Sequence, residues 1–218
     1  RRVLFRSRTT VEHEVVACAD LMLASTDEER SQLAELYSAD PARIEIVPPG
    51  VDHTVFAPGD RAAARSRLGI DARRVLLFAG RIQPLKGVDL AVRSLATLDD
   101  RGAVLLVVGG PSGRAGGAEV RRVRRLAADL GVSDRVRWIR PQPHERLADY
   151  YRAADVCLVP SRTESFGLVA LEAASCGTPV VAAAVGGLRS LVVDGRTGFL
   201  VEGRSEEHTS ELQSHHDL

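Results

Sequence analysis

The stretch VLLFAGRIQPLKGVDLAVRSL, Val75 to Leu95, carries the pattern that decides the fold. Val75–Ala79 is a short, continuous apolar run, not an alternating one. That is the signature of a strand covered on both faces, as in a parallel sheet. A helical pattern begins at Val88 and continues to Leu98. Between them lies GRIQPLKG, Gly80 to Gly87. The chain has 29 lysines and arginines together, and Lys86 is the only lysine. A lone lysine in an arginine-rich chain suggests a position chosen for its chemistry. Lysine offers a compact ammonium on a flexible stem, and arginine a flat two-pronged fork. With Arg81 in the same loop, the two cations suit two phosphates of different geometry.

The same alternation extends in both directions. Further strands are expected at Leu21–Ala24, Ile44–Val47, Val104–Val108, Val136–Ile139, Val156–Val159, Val180–Ala183 and Phe199–Val201. Helices are expected at Thr26–Tyr37, Asp60–Leu68, Ala118–Leu130, Glu145–Ala153 and Leu168–Ser175. Thr26-Asp-Glu-Glu opens its helix as a cap, and Gly69, Gly131 and Gly177 follow helix ends. This βαβα order predicts an α/β, Rossmann-like, doubly wound parallel sheet. Pro48-Pro49-Gly50 reads as a linker. Residues 8–53 read as the tail of an upstream domain with its hinge, and 54–203 as most of a second domain.

The two ends read differently. RRVLFRS (residues 1–7) and RSEEHTS (204–210) can both be encoded by one oligonucleotide, AGATCGGAAGAGCACACGTCT, read on its two strands. Residues 1–7 and 204–218 are therefore expected to be non-native scars. They remove His208, His215 and His216 from any metal-site argument. The native chain is expected to continue beyond residues 8 and 203.

Composition narrows the classes. The net charge is zero, which gives no support for nucleic-acid binding. Cys18, Cys157 and Cys176 are isolated, with no CxxC; they are expected to be small buried residues of a reducing, cytoplasmic protein. No apolar run is long enough to span a membrane.

In an open parallel sheet, ligands bind beyond the carboxyl ends of the strands. Three segments fall there: GRIQPLKG, GGPSG (Gly109–Gly113) and ESFGLVALE (Glu164–Glu172). In the third, Ser165-Phe166-Gly167 leads into a helix at Leu168. Its free N–H groups and positive end suit an anion. Glu164 and Glu172 flank that helix start, about 10 Å apart by helical rise. That is wider than the roughly 5–9.5 Å of a glycosidase pair. It suits one carboxylate on a sugar and one on a ribose, with a diphosphate between. GGPSG reads as a plain turn, and His13, His53 and His144 as surface or capping residues. Arg121-Arg122 and Arg124-Arg125 read as a solvated face. RPQP (Arg140–Pro143) is a candidate wall for a base.

GRIQPLKG, ESFGLVALEA, SCGTPVVA and DGRTGFLV together resemble the nucleotide-sugar half of retaining GT-B glycosyltransferases. Within that family, GRIQPLKG with VVGGPSG and VPSRTESFGLVALEA is most similar to the branch that joins N-acetylglucosamine from UDP-GlcNAc to 1D-myo-inositol 3-phosphate in mycothiol synthesis. The resemblance implies that Arg81 and Lys86 bind the diphosphate and stabilise departing UDP. It implies that Glu164 holds the donor sugar, that Glu172 accepts from the ribose, and that the backbone of Ser165, Phe166, Gly167 and Leu168 caps phosphates and sugar. Arg81, Lys86 and Glu164 are thus the expected catalytic residues. Where the family carries a donor-contacting arginine, this chain has Gln142. The resemblance also implies a structural magnesium ion at Tyr151, Arg152, Ala154 and Thr178; no cofactor is required for the chemistry. The acceptor domain lies upstream, so residues 8–203 alone are expected not to turn over. A homodimer is a further expectation. Other readings are a sucrose-phosphate-type or mannosyl transferase, a GT-B-like sugar-nucleotide epimerase, and a non-catalytic UDP-binding module.

Overall fold

A computed structural model describes residues 2–203, with residues 2–9 as backbone only. Residues 204–218, expected to be a scar, lie outside the described residues.

The elements follow one another almost without interruption. They are α1 (Arg2–Cys18), β1 (Met22–Ala24), α2 (Asp27–Tyr37), β2 (Ile44–Ile46), α3 (Arg61–Leu68) and β3 (Arg74–Ala79). Then come α4 (Val88–Thr97), β4 (Ala103–Val108), α5 (Gly116–Asp129), β5 (Val136–Ile139) and α6 (His144–Ala153). The chain continues with β6 (Val156–Val159), α7 (Leu168–Ser175), β7 (Val180–Ala183), α8 (Leu188–Leu191) and β8 (Gly198–Val201). The helix starts have local causes. Thr26 and Asp60 cap α2 and α3 by accepting from Glu29 N and Ala63 N, satisfying donors that have no partner inside the helix.

β1 and β2 form a small parallel pair. The other six strands form one sheet in the order β5-β4-β3-β6-β7-β8, every neighbouring pair parallel. Successive residues of a strand face opposite sides, and the core divides accordingly. Leu77, Ala79, Leu106, Cys157 and Val159 pack with α6 and α7 on one face. Leu76, Phe78, Leu105, Val107 and Leu158 pack with α4 and α5 on the other. With Val75, Leu77, Leu105 and Leu106 fully buried, truncating any of these leucines to alanine costs about 2–5 kcal/mol.

Two expectations are corrected. Cys18 is exposed, while Cys157 and Cys176 are buried. The arginines of α5 are not a uniform solvated face. Arg122 turns inward to Glu119 and Asp89, and Arg124 stacks over the Trp138 ring at 5.2 Å. Among the described residues, no helix is long and apolar enough to cross a membrane.

Candidate functional site

The strand order reverses direction between β3 and β6, which pair directly through Leu76–Val156 and Leu77–Cys157. Such a switch point opens a crevice above the carboxyl ends of the two strands. The loop after β3 (Gly80–Gly87) and the segment after β6 (Pro160–Gly167) stand side by side there. They touch backbone to backbone: a Cβ on Gly87 would lie 2.0 Å from Pro160 O. Only glycine permits that approach.

The crevice is a cavity of about 560 Å³, the size of an ordinary small-molecule site. Arg81, Lys86, Glu164, Ser165, Phe166, Gly167, Leu168 and Glu172 all line it. The segments expected to meet therefore do meet. Gly167 starts α7 with φ +105°, a backbone region that side chains avoid. A Cβ there would also lie 2.6 Å from Leu188 Cδ2. The N–H groups of Ser165, Phe166, Gly167 and Leu168 have no protein acceptor among the described residues. They leave a positive helix end facing the cavity.

A second cavity of about 330 Å³ adjoins the first and shares Gly80, Arg81, His144 and Leu147 with it. Its other walls are Val108, Gly109, Gly110, Pro111, Ser112, Pro141 and Gln142. GGPSG is thus part of the site wall, although it reads as a plain turn. The Gln142 amide is spent on its own loop, donating to Arg140 O (2.9 Å) and Pro141 O (3.3 Å). What this wall presents is chiefly apolar ring and backbone.

The charged groups are arranged unevenly. Arg81 is exposed, and its guanidinium has no hydrogen-bond or ion-pair partner among the described residues. Lys86 is engaged: Nζ donates to Glu164 Oε2 at 2.6 Å, and Ser161 Oγ donates to the same oxygen at 3.1 Å. Those two side chains are only 22% and 18% exposed, so solvent screens the pair less than a surface pair. Glu172 is buried and accepts from Tyr151 Oη at 2.6 Å. Burial, with the charge of Glu172 nearby, holds the Tyr151 phenol well above its usual range. It therefore stays a donor to the carboxylate at any ordinary pH. Burial also pushes the Cys176 thiol up to about 11 and Cys157 higher still. Both cysteines are inert filler behind the site.

The sequence pattern described as glycosyl transferases group 1 matches residues 60–212. The chain belongs to the group 1 glycosyltransferases. A relative from Catenulispora acidiphila, D-inositol 3-phosphate glycosyltransferase 2, is 54% identical over 205 residues, covering 90% of this chain and 48% of that protein. Among solved structures, sucrose-phosphate synthase from Thermosynechococcus elongatus is 36% identical with a TM-score of 0.83, covering 96% of this chain and 52% of that one. HepE of Anabaena in complex with UDP is 25% identical with a TM-score of 0.77, covering 90% of this chain and 54% of that one. The chain spans about half the length of the curated relatives it matches. Its fold is one Rossmann-like half of a GT-B glycosyltransferase.

In this group 1 glycosyltransferase the four positions expected to hold magnesium are neighbours at the end of α6. Thr178 Oγ1 donates to Tyr151 O at 2.6 Å, and Ala154 N donates to the same carbonyl at 3.1 Å. Arg152 turns its guanidinium to Ala57 O, Val55 O and Asp149. Oxygen donors suit a hard cation. Here, however, the Tyr151 carbonyl is already used twice, and the set has no carboxylate. The residues as placed do not fit a divalent cation, and no step below is routed through one.

Four contributors were not anticipated. Pro49, His144 and Leu147 line the cavity, and the hydroxyl of Tyr151, a residue expected only as part of a magnesium site, holds Glu172. His144 is the first residue of α6 and borders both cavities. Its ring meets the Phe56 ring edge-on at 5.7 Å. A signal for it was available: it follows RPQP directly, at the carboxyl end of β5.

Proposed function

We propose that this chain is the donor-binding half of a retaining glycosyltransferase. It uses a UDP-linked sugar, UDP-GlcNAc, and 1D-myo-inositol 3-phosphate as acceptor. The observation that carries this reading is the convergence of Arg81, the Lys86–Glu164 pair and the amino end of α7 on one cavity. A sugar diphosphate presents two charged phosphates flanked by hydroxyls, and the cavity presents two cations flanked by carboxylates. The relatives named D-inositol 3-phosphate glycosyltransferase, 52–56% identical, favour this acceptor. The UDP complex of HepE favours the uridine nucleotide.

In this reading the base occupies the smaller cavity between Pro111 and Pro141. The ribose hydroxyls donate to Glu172, whose geometry Tyr151 fixes in advance. The diphosphate lies between Arg81, Lys86 and the α7 N–H groups. As the bond from the anomeric carbon to the β-phosphate oxygen breaks, charge grows on that oxygen. Donors already aimed there stabilise it without reorganising. The acceptor oxygen bonds to the anomeric carbon on the same face, and its proton passes to the departing diphosphate. Glu164 orients the sugar through its hydroxyls.

Titration calorimetry of the 218-residue chain with UDP and GDP is the direct test. UDP is expected to bind, and GDP to bind more weakly. A folded chain that binds no UDP overturns the reading. For a protein carrying both halves, product from UDP-GlcNAc and inositol 3-phosphate tests the donor and acceptor. Turnover with fructose 6-phosphate instead would favour the sucrose-phosphate-type alternative, which the 36% identity to sucrose-phosphate synthase keeps in view.

A further inference from the structure

We propose that Arg162 and Asp89 form a positioning clamp that holds the two ligand loops in register and thereby sets the Lys86–Glu164 pair. The role assigned to that pair rests on the function proposed above; the clamp itself rests on geometry.

Arg162 lies two residues before Glu164, on the segment leaving β6. Its backbone N–H donates to Leu85 O at 2.8 Å. Its guanidinium donates to Pro84 O and makes a fork to Asp89, at 3.2 and 2.9 Å. Pro84 and Leu85 immediately precede Lys86, and Asp89 follows it by three residues. One side chain from the β6 segment therefore grips the β3 loop on both sides of its lysine. The backbone contact of Gly87 with Pro160 closes the same seam.

The anchor is buried. Asp89 is 6% exposed. Burial alone would raise its carboxyl, but the hydrogen bonds and charge of Arg162, with Arg122, hold it below the ordinary value. Arg122 approaches Asp89 at 3.4 Å and forks to Glu119, which is 4% exposed. Two buried carboxylates and two arginines thus close a neutral network behind the loop. Neither Arg162 nor Asp89 lines the cavity that holds Lys86, so both act through other groups. The requirement is for a planar fork with donors to spare, which lysine cannot supply. An arginine serving only to hold the fold would not alter how Lys86 meets Glu164.

The single lysine makes this measurable, since Lys86 is the only side-chain amine in the chain. The experiment follows acetylation of Lys86 by peptide mass spectrometry, which separates it from the terminal amine. Wild type, Arg162→Ala, Arg162→Lys and Asp89→Asn are compared, each checked for fold by circular dichroism. Glu164→Gln supplies the rate of a Lys86 without its carboxylate. The clamp predicts a rise of about threefold in the Arg162 and Asp89 variants, approaching Glu164→Gln, and UDP affinity weaker by about tenfold. If Arg162→Ala does not fold, Arg162→Lys keeps the charge, loses the fork and carries the test. Folded Arg162 variants with wild-type labelling and wild-type UDP affinity overturn the clamp while leaving the donor reading intact. Altered labelling in a chain that binds no UDP at all supports the clamp and overturns the donor reading.

Discussion

Glu164 and Glu172 line one cavity from the two ends of the same short segment, yet they are held in opposite ways. Glu172 is buried and receives a hydrogen bond from a buried phenol that cannot move away. Glu164 is partly open and is paired with Lys86, itself expected to touch ligand. The first carboxylate is fixed before anything binds. The second is bound to a partner that, in the function proposed, must be shared with, or surrendered to, the diphosphate. A rigid acceptor suits a ribose, which is the same in every donor and every turn. An exchangeable pair suits the reacting end, where charge changes during transfer and interactions gained only then accelerate it.

The largest effect is expected where the exchangeable pair is broken. Lys86→Ala removes a cation from the diphosphate and leaves Glu164 repelling it. Charge-assisted hydrogen bonds contribute about 1.5–3 kcal/mol each, so UDP affinity should fall by about a hundredfold in calorimetry. Arg81→Ala, which breaks no hydrogen bond or ion pair among the described residues, should lower it by about tenfold. Equal losses for the two would mean that the Lys86–Glu164 pair has no special place. The fixed end should break differently. Tyr151→Phe leaves a buried carboxylate without its donor, at about 1–3 kcal/mol of stability. Its Tm should drop by about 3–10 °C, and UDP binding of the folded fraction should weaken, by less than in Lys86→Ala, because Glu172 is no longer set in advance. A Tm within about 1 °C of wild type would show that Glu172 is not held as described.

Discrimination sharpens the contrast further. If Glu172 accepts from the ribose, 2′-deoxy-UDP should bind about tenfold more weakly than UDP to wild type. Glu172→Gln should narrow that gap, and Glu164→Gln should leave it unchanged. His144→Ala, at the border of both cavities, should weaken UDP by about threefold, as for one modest contact. A larger loss than at Arg81 would move the centre of binding toward α6.

The parallel strands were legible because burial on both faces makes them continuous apolar runs. Val136–Ile139, Val156–Val159 and Val180–Ala183 end where the runs end. Helix starts followed from Thr26 and Asp60, whose short polar side chains have a definite job. Arg81, Lys86 and the α7 entrance were legible because each sits just past a strand, where the topology leaves room for a ligand. What pairs with them was not. Tyr151 and Glu172 are 21 residues apart on different helices, and Arg162 and Asp89 are 73 apart. No local periodicity encodes such a meeting; it depends on which strands become neighbours. α8, at four residues, is too short to show a period, and His144 looks like any exposed histidine until two cavities are seen to share it.

The smallest expected effect concerns acid. Asp89 is held below its ordinary 3.8 in the folded chain. A carboxyl depressed by folding contributes stability that is present above its unfolded value and lost as pH falls through its folded value. The clamp behind Glu164 should therefore loosen only well below neutral pH. The Tyr151 phenol, raised far above its ordinary 10, stays protonated and able to donate to Glu172 throughout that range. Without Arg162, burial is the larger influence on Asp89, and the carboxyl should protonate at higher pH. Arg162→Ala should then move the acid-unfolding midpoint upward by a fraction of a pH unit, read by circular dichroism. Arg189→Ala removes a comparable fork, to Glu202, but on an open surface where ion pairs contribute little. Its midpoint should stay in place. Equal shifts for the two would show that burial of Asp89 is not what gives the clamp its hold on the exchangeable end.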